Sequence, residues 1–429
     1  MTPLRIALLS YRSKPHCGGQ GIYVRHLARE LAALGHHVDV FSGQPYPELD
    51  PVGSGPGSVN LRPLPSLDLY RDDDPFRTPP LSEWRDLIDV VEIATMWTGG
   101  FPEPLTFTLR AARALAARRE HYDVVHDNQS LGYGLLALSR LGLPLVATAH
   151  HPITVDRRVE IQAAPTLLRK VGLRRWYTFT RMQARVARRM PALITVSENS
   201  ANDIVRDFGV QRDDVHVIPV GVDTETFAPP TLPRVPGRIV SVASSDSPMK
   251  GARVLLEAVA KLGTERDVEL VMVGQPKPNG PVARAVDDLG IADRVRFLTG
   301  VSASALSDLL GSAEVAVVPS LYEGFSIPAI EAMACETPLV ASRAGALPEV
   351  VGDCAVLVEP ANPSALAAAL GELLDDEPRR RALGAAGRRR VEERYTWRAA
   401  AAATVDIYRE VIARQSKKTQ PGQESNAHR

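Results

Sequence analysis

Two glutamates, Glu323 and Glu331, bracket the mostly apolar stretch "GFSIPAI" and are the residues whose spacing first suggests chemistry. A helix that begins near Ser326, with Pro328 in its first turn, would direct free N–H groups across the end of the preceding strand. Such groups suit a diphosphate, whereas the two carboxylates should accept hydrogen bonds from neutral hydroxyls. A nucleotide sugar offers both kinds of partner, because a diphosphate joins its hydroxyl-bearing ribose and hexose.

Three glycines, Gly18, Gly19 and Gly21, lie between the first predicted strand and the first predicted helix, in "HCGGQGIYV". Glycines at such a junction let backbone amides approach an anion. The spacing does not match the dinucleotide fingerprint, since Val24 stands where the third glycine would be, and no GK[ST] follows as in a P-loop. A tight turn explains these glycines nearly as well.

Short apolar runs alternate with helical patterns along the chain, which predicts parallel sheets covered by helices. A first set of predicted strands covers residues 4–10, 37–42, 123–126, 144–150 and 192–197, and a second covers 238–244, 268–274, 294–300, 314–320, 338–342 and 355–359. The segment 217–237 between the sets is rich in proline and glycine and is predicted to be a linker. We therefore expect two doubly wound domains, residues 1–220 and 221–397, with a cleft between their strand ends.

Three segments depart from this alternation. Residues 42–80 hold nine prolines and four glycines, which predicts a long surface loop. Residues 156–189 hold ten Lys or Arg against two Asp or Glu, which fits either a solvated helix face or a patch for an anionic lipid or acceptor. Residues 415–429 are polar and are expected to be disordered.

The bulk composition excludes several classes of protein. The 429 residues include fifty basic and fifty acidic side chains, a balance that does not suggest a nucleic-acid binder. Cys17, Cys335 and Cys354 lie far apart, which disfavours a zinc site or disulfide framework and fits a reducing cytoplasm. Because "MTPLRIALLSYRS" lacks a basic start and a cleavage site, we expect a buried strand there rather than a signal peptide. No apolar run is long enough to span a membrane.

The chain resembles the retaining GT-B glycosyltransferases of family four, relatives of bacterial glycogen and sucrose synthases. The resemblance runs to about residue 413 and rests on these motifs: the E-x7-E pair Glu323 and Glu331, "GGQG", "ATAH", "VIPVGVD", "VVGD" after "AGALPE", and "YTW". It implies the GT-B fold, with a C-terminal helix at about 398–414 that packs back on the first domain.

The resemblance also implies roles for individual residues. Glu323 would hold the donor hexose, Glu331 the ribose, and Lys250 the diphosphate, while His150 would reach the donor sugar from the first domain. His150, Glu323 and Lys250 form the implied catalytic set, and the full implied donor set is Gly18, Gly19, Gly21, Ser245, Lys250, Gly300, Gly324, Phe325, Ser326, Ile327 and Glu331. Candidates for the acceptor are Asn128, Gln129, His151, Arg157 and Arg158.

One departure from the family concerns Ser245, which stands where the family usually carries an arginine that contacts the diphosphate. Either another arginine substitutes, with Arg157 and Arg158 as options, or backbone amides take more of the charge, or the site is degenerate.

The expected reaction is transfer of a hexose from a UDP- or GDP-sugar to an acceptor hydroxyl of a sugar, lipid or small molecule. The resemblance implies an α-linkage and no protein nucleophile, and because no cluster of His and Asp marks a metal site, we expect that no metal or other cofactor is needed. A nucleotide-sugar 2-epimerase and a catalytically silent nucleotide-sugar-binding module remain the alternatives. The expected location is the cytoplasm, with or without peripheral contact to an anionic inner membrane face through residues 156–189.

Overall fold

The computed structural model describes residues 2–13, 19–51, 55–71, 73–242 and 247–419. The chain divides into two compact units. Unit 1 comprises Met1–Val196, Ala201–Ile218 and Ala400–Arg429, and unit 2 comprises Ser197–Ser200 and Pro219–Ala399.

Unit 1 is built on a parallel sheet of seven strands in the order β3-β2-β1-β6-β7-β8-β9. Its strands are β1 (Arg5–Ser10), β2 (His37–Ser42), β3 (Ser58–Pro63), β6 (Val124–Asn128), β7 (Leu145–Thr148), β8 (Leu193–Thr195) and β9 (Val215–Val217), beside a small hairpin of β4 (Tyr70–Arg71) and β5 (Asp74–Pro75). Its helices are α1 (Gly19–Ala33), α2 (Leu87–Trp97), α3 (Glu103–Ala116), α4 (Gly134–Arg140), α5 (Thr154–Ala163), α6 (Leu167–Trp176), α7 (Phe179–Ala187) and α8 (Glu198–Phe208), the first three residues of α8 grouping with unit 2.

The central strands of this sheet are buried on both faces, as their continuous apolar sequences predict. In β1, every residue after Arg5 is buried, and all five residues of β6 are buried. The core therefore lies on both sides of the sheet, between it and the helices, and the strand ends are left to carry polar groups.

The prediction of a long loop over residues 42–80 was wrong in part. Strand β3 (Ser58–Pro63) extends the sheet beside β2, and β4 and β5 pair as a hairpin. An edge strand tolerates proline at its end, and Pro63 lies there. Gly57 brings the chain to this edge, since a Cβ at that position would lie 2.1 Å from the carbonyl oxygen of Ala32.

Unit 2 carries a six-stranded parallel sheet in the order β12-β11-β10-β13-β14-β15. Its strands are β10 (Val235–Val242), β11 (Glu269–Val273), β12 (Val295–Leu298), β13 (Ala313–Val318), β14 (Leu339–Ser342) and β15 (Val356–Val358). Its helices are α9 (Ala252–Leu262), α10 (Pro281–Asp288), α11 (Ala303–Ser312), α12 (Ile327–Ala334), α13 (Leu347–Val351), α14 (Pro363–Asp375) and α15 (Glu377–Arg394).

The last helix, α16 (Trp397–Thr419), is longer than the predicted 398–414 and enters the tail that was expected to be disordered. Residues from Ala400 onward group with unit 1. The helix continues through Gln415, Ser416 and Lys417 because these residues have moderate to good helix propensity and a cation is favourable near a helix C-terminus. Residues 420–429 lie outside the described part of the chain.

The predicted α/β class is confirmed: each unit is a Rossmann-like, doubly wound domain built on a parallel sheet. Within the described residues, no helix is long and apolar enough to cross a lipid bilayer.

Candidate active site

In unit 2, the loops that follow the neighbouring strands β10 and β13 bring two predicted site residues together. Lys250 Nζ donates a hydrogen bond to Glu323 Oε1 at 2.8 Å. The same carboxylate oxygen accepts a hydrogen bond from Ser320 Oγ at 2.7 Å. Glu323 is buried, so these two donors satisfy a carboxylate that water reaches poorly. Ser320 was not predicted as a site residue, although it ends the predicted strand 314–320.

A glycine that sequence reasoning missed sets this approach. Gly251 has a left-handed backbone (φ 66°), and a Cβ there would lie 2.0 Å from the carbonyl oxygen of Pro319. Next to it, the N–H of Leu321 donates to the carbonyl of Met249 at 2.7 Å. The turn that carries Lys250 can therefore lie against the loop that carries Glu323 only if residue 251 lacks a side chain. The signal in the sequence is the glycine directly after the lysine, in "PMKGA".

A second glycine, Gly345, lies against the backbone of Glu323. The N–H of Ala346 donates to the Glu323 carbonyl at 2.9 Å. Gly345 has φ 56°, and a Cβ there would lie 2.2 Å from that carbonyl oxygen. The loop after β14 thus fixes the backbone of Glu323, which leaves only its side chain free to change partner.

Helix α12 begins where the sequence predicted, with Ser326 as its N-cap residue and Pro328 in its first turn. Ser326 has a strained backbone (φ 97°, ψ 83°), and its side chain does not cap the helix. Its buried Oγ has no hydrogen-bond partner within the described residues. Beside it, the ring of Phe325 packs edge-on against Tyr395, with ring centroids 5.5 Å apart. The N–H groups of the first turn and the Ser326 hydroxyl are therefore available to an anion or a hydroxyl ligand.

Glu331 lies on the same helix and is 8% exposed. Burial raises the pKa of its carboxyl group to about 7. In the described part of the chain, no group donates a hydrogen bond to this carboxyl. A buried carboxyl without a protein partner is costly unless a ligand supplies one.

In unit 1, His150 follows β7 and is held by three neighbours. Its Nε2 lies 2.8 Å from Asn128 Oδ1, and its backbone N–H donates to Gln129 Oε1 at 2.6 Å. The ring meets Tyr23 edge-on, with centroids 4.7 Å apart. Burial, with a smaller contribution from His151, lowers the pKa of His150 to about 3. His150 is therefore a neutral hydrogen-bonding group at physiological pH.

Behind His150 runs a buried network that reaches α16. Tyr23 OH lies 3.2 Å from Thr148 Oγ1, which lies 2.7 Å from His126 Nε2. The other ring nitrogen of His126, Nδ1, lies 2.6 Å from Tyr408 OH. Burial lowers the pKa of His126 to about 3, so its ring is also neutral. No motif pointed to this network, because its members are far apart in the sequence.

The acceptor candidates fall into two groups. Asn128 and Gln129 surround His150, and Gln129 Nε2 also donates to the carbonyl of His151 at 3.0 Å. His151 Nε2 lies 2.8 Å from Asp156 Oδ2. By contrast, Arg157 and Arg158 line a separate open concavity of about 540 Å³, which they share with Thr154, Ile161, Gln162, Arg174, Arg206 and Asp207.

The predicted glycines are also spread out. Gly19 and Gly21 lie in the first turn of α1 rather than in a loop before the helix. Gly300 follows β12, two strands away from β10 in the sheet, with φ 63°. Gly18 and Ser245 lie outside the described residues, so the structure does not test the substitution at Ser245.

Comparison with known proteins identifies the family. Residues 223–390 match the glycosyl transferases group 1 family, and residues 17–226 match the glycosyltransferase family 4 domain. The MMP alpha-(1->4)-mannosyltransferase of Mycolicibacterium hassiacum is 59% identical over 415 residues, which cover 96% of this chain and 99% of the relative. The chain belongs to the group 1 glycosyltransferases.

More distant relatives of this glycosyltransferase agree with that assignment. The D-inositol 3-phosphate glycosyltransferase of Xylanimonas cellulosilytica is 32% identical over 447 residues, covering 96% of this chain and 97% of the relative. Among solved structures, the sucrose-phosphate synthase of Thermosynechococcus elongatus superposes with a TM-score of 0.71 at 26% identity. That superposition covers 96% of this chain and all of the other.

Proposed function

We propose that this glycosyltransferase is a retaining α-mannosyltransferase that moves mannose from a nucleotide diphosphate mannose to a hydroxyl of a saccharide acceptor. The proposed sugar and the α-(1→4) linkage rest on the name of the M. hassiacum relative, with which the chain shares 59% of its residues along nearly its whole length. The proposed nucleotide donor rests on the chemistry of the groups gathered at the strand ends of unit 2.

The observation that carries the proposal is the contact of Lys250 with Glu323 beside the open first turn of α12. When the donor binds, the Lys250 ammonium moves from Glu323 to the diphosphate, and Glu323 accepts a hydrogen bond from a mannose hydroxyl instead. Glu331 accepts from the ribose hydroxyls, which gives its buried carboxyl the partner that it lacks. In unit 1, neutral His150 is proposed to act as a hydrogen-bonding group.

These roles match the charges that develop in the reaction. The bond from the anomeric carbon to the diphosphate oxygen breaks, so positive charge builds on the sugar and negative charge on the leaving group. Lys250, once released from Glu323, and the free amides near Ser326 would meet this negative charge, and electrostatic stabilisation of this kind is usually the largest catalytic contribution. The acceptor oxygen attacks from the leaving-group face, and its proton passes to the departing phosphate oxygen. The anomeric configuration is retained without a protein nucleophile.

The donor experiment compares GDP-mannose, UDP-mannose and the corresponding glucose nucleotides, with short α-mannosides as acceptors. We expect nucleotide release that depends on acceptor and a product whose anomeric proton has the α configuration by NMR. We also expect turnover to survive EDTA, because a lysine and helix amides take the role that a metal has in other transferases. Absence of both turnover and nucleotide-sugar binding would refute the proposal. A changed sugar without acceptor would indicate an epimerase, and binding without turnover a silent module.

Substitution of Glu323 separates sugar recognition from nucleotide recognition. Glu323→Ala should abolish transfer, while the affinity for the free nucleotide diphosphate stays equal or rises, because Lys250 loses its competing partner. Glu393→Ala, which removes an exposed glutamate of α15, is the matched control and should leave both measurements unchanged. Retained transfer in Glu323→Ala would contradict the assigned role.

We further propose that the enzyme works in the cytoplasm, where nucleotide sugars are made. In the described residues, Cys335 and Cys354 are both free thiols, and Cys335 is buried, as suits a reducing compartment. Fractionation of the producing cell, followed by detection of the protein, tests this location.

A further inference from the structure

Helix α2 buries two carboxylates together with Ile93 and Met96, while four of its large apolar residues are exposed. Asp89 and Glu92 are 0% and 1% exposed. Both carboxylates bind the buried guanidinium of Arg110, and Arg85 donates to Asp89 as well. Burying charges costs free energy even when they are paired, so this orientation is not the one that solvation alone would favour.

The opposite face of α2 is apolar and exposed. Leu87 is 80% exposed and Trp97 is 61% exposed, and Val90 and Val91 lie between them on the same face. Their spacing of three and four residues places them in one stripe along the helix. A contiguous apolar stripe in this position is typical of a surface that contacts a partner or a membrane.

The exposed apolar stripe continues onto neighbouring elements. Phe76, exposed, contacts Trp176 at the end of α6, with centroids 5.9 Å apart. Arg175 of α6 donates to Thr98, the C-cap residue of α2, at 2.6 Å. One and two turns before Arg175 on the same face lie Val171 and the pair Leu167 and Leu168, the last 84% exposed.

Cations without counter-ions flank these apolar residues on α6. Arg169, Lys170 and Arg174 form no ion pair within the described residues. Between Glu160 and Glu198 the sequence contains no acidic residue at all. We call the exposed apolar residues of α2 and α6, with Phe76 and these three cations, the apolar–basic surface.

We propose that the apolar–basic surface docks on a membrane that contains anionic lipid. Leucines and a tryptophan that enter the interface between headgroups and acyl chains, with lysine and arginine at the headgroups, are the chemistry of a peripheral membrane contact. Each such cation adds about 1 kcal/mol of attraction to an anionic leaflet. A second copy of this chain is a poorer occupant, because a two-fold interface on this surface would place two sets of the unpaired cations Arg169, Lys170 and Arg174 in one contact. The proposal is independent of the transfer reaction.

The experiment is flotation of the full chain with vesicles of phosphatidylcholine alone or mixed equally with phosphatidylglycerol. We expect flotation with the mixed vesicles, little with phosphatidylcholine, and weaker flotation at high salt. The triple variant Arg169→Ala/Lys170→Ala/Arg174→Ala should lower the partition coefficient about 100-fold, as expected from three cations near the surface. Leu167→Ser/Leu168→Ser should lower it as well.

Two matched controls come from unit 2. Leu232→Ser removes a leucine of similar exposure, and Arg389→Ala removes an exposed arginine of α15. Both should float like the wild type, and thermal melting should show that every variant folds. No flotation of the wild type, or equal flotation of all variants, would overturn the proposal. So would a dimer in sedimentation velocity that Leu167→Ser/Leu168→Ser dissociates, because the surface would then belong to a second copy.

Discussion

At the scale of single residues, Lys250 and Glu323, to which we assign separate roles in the proposed reaction, form an ion pair. A carboxylate that is 9% exposed on its side chain would be costly without a donor. The pair is weak evidence for stability, because desolvation offsets much of the attraction. In the proposed reaction, each member of the pair exchanges its partner for a group of the donor.

Removal of Lys250 tests this exchange directly. Lys250→Ala should lower kcat about 100-fold or more, because the leaving diphosphate loses the cation that we propose contacts it. Steady-state kinetics with the nucleotide sugar that supports transfer in the donor experiment measure the effect. Lys261→Ala on the neighbouring helix α9 removes an exposed lysine whose ammonium donates to Ser364, and its kcat should match the wild type. Equal kcat values in the two variants would show that Lys250 does not contact the leaving group.

Glu331 gives a prediction about pH. Its pKa is raised to about 7 in the folded protein from 4.5, so the unfolded chain releases this proton at lower pH than the folded chain does. Its contribution to stability is therefore most favourable below pH 4.5 and is lost as the pH rises from 4.5 to 7. Glu331→Gln removes this loss, so the melting temperature of the variant should rise relative to wild type as pH goes from 5 to 8.

Thermal melting of the ligand-free protein across that pH range makes the measurement. Glu393→Gln, at an exposed position of α15, is the control, and its difference from wild type should stay constant with pH. If the Glu331→Gln difference were also constant, the buried carboxyl would have to be ionised throughout.

At the scale of secondary-structure elements, the turn before α9 positions the site through close contact of two backbones. Gly251→Ala adds a Cβ that would lie 2.0 Å from the Pro319 carbonyl oxygen, so the turn must move and carry Lys250 away from Glu323. We expect loss of most activity together with a lower melting temperature.

Gly290→Ala is the matched control for this substitution. Gly290 also has a left-handed backbone (φ 63°), but a Cβ there would meet no atom within 4 Å. Gly290→Ala therefore has the free-energy cost of a left-handed alanine, roughly 1 kcal/mol, without a steric clash at the added Cβ. It should lower the melting temperature slightly and leave turnover unchanged, and similar loss of turnover in both variants would refute the positional argument.

The strands and helices that could be predicted are those in which burial dictates the positions of the apolar residues. Strands such as β1 and β13 are runs of apolar residues, and their burial on both faces follows directly. Strand β3 was missed because it lies among prolines and is only partly buried, so its sequence resembles a loop. The orientation of α2 could not be read either, since it depends on Arg110 from another helix.

At the scale of the whole molecule, the two-domain α/β architecture follows from the order of the elements, whereas contacts between distant segments do not. The E-x7-E pair was visible because both glutamates lie on one loop and helix. The contact of His126 with Tyr408 joins residues 282 positions apart and has no local pattern. Such contacts depend on tertiary packing, and no local pattern in a single sequence indicates them.

Tyr408 shows what this long-range contact does for unit 1. It is fully buried, and its hydroxyl lies 2.6 Å from His126 Nδ1 at the end of the network that reaches Tyr23 and His150. Tyr408→Phe leaves that imidazole nitrogen buried without a partner, which should cost about 1–3 kcal/mol of unfolding free energy.

Urea unfolding followed by the fluorescence of Trp176 and the other tryptophans would measure this loss. Tyr133→Phe, which removes an exposed hydrogen bond from Arg185, is the control and should change the unfolding free energy by less than about 0.5 kcal/mol. Because the network packs behind His150, kcat of Tyr408→Phe should also fall, while the affinity for free nucleotide diphosphate should not change. If stability and kcat both stayed at wild-type values, the hydrogen bond of Tyr408 would neither stabilise unit 1 nor help to position His150.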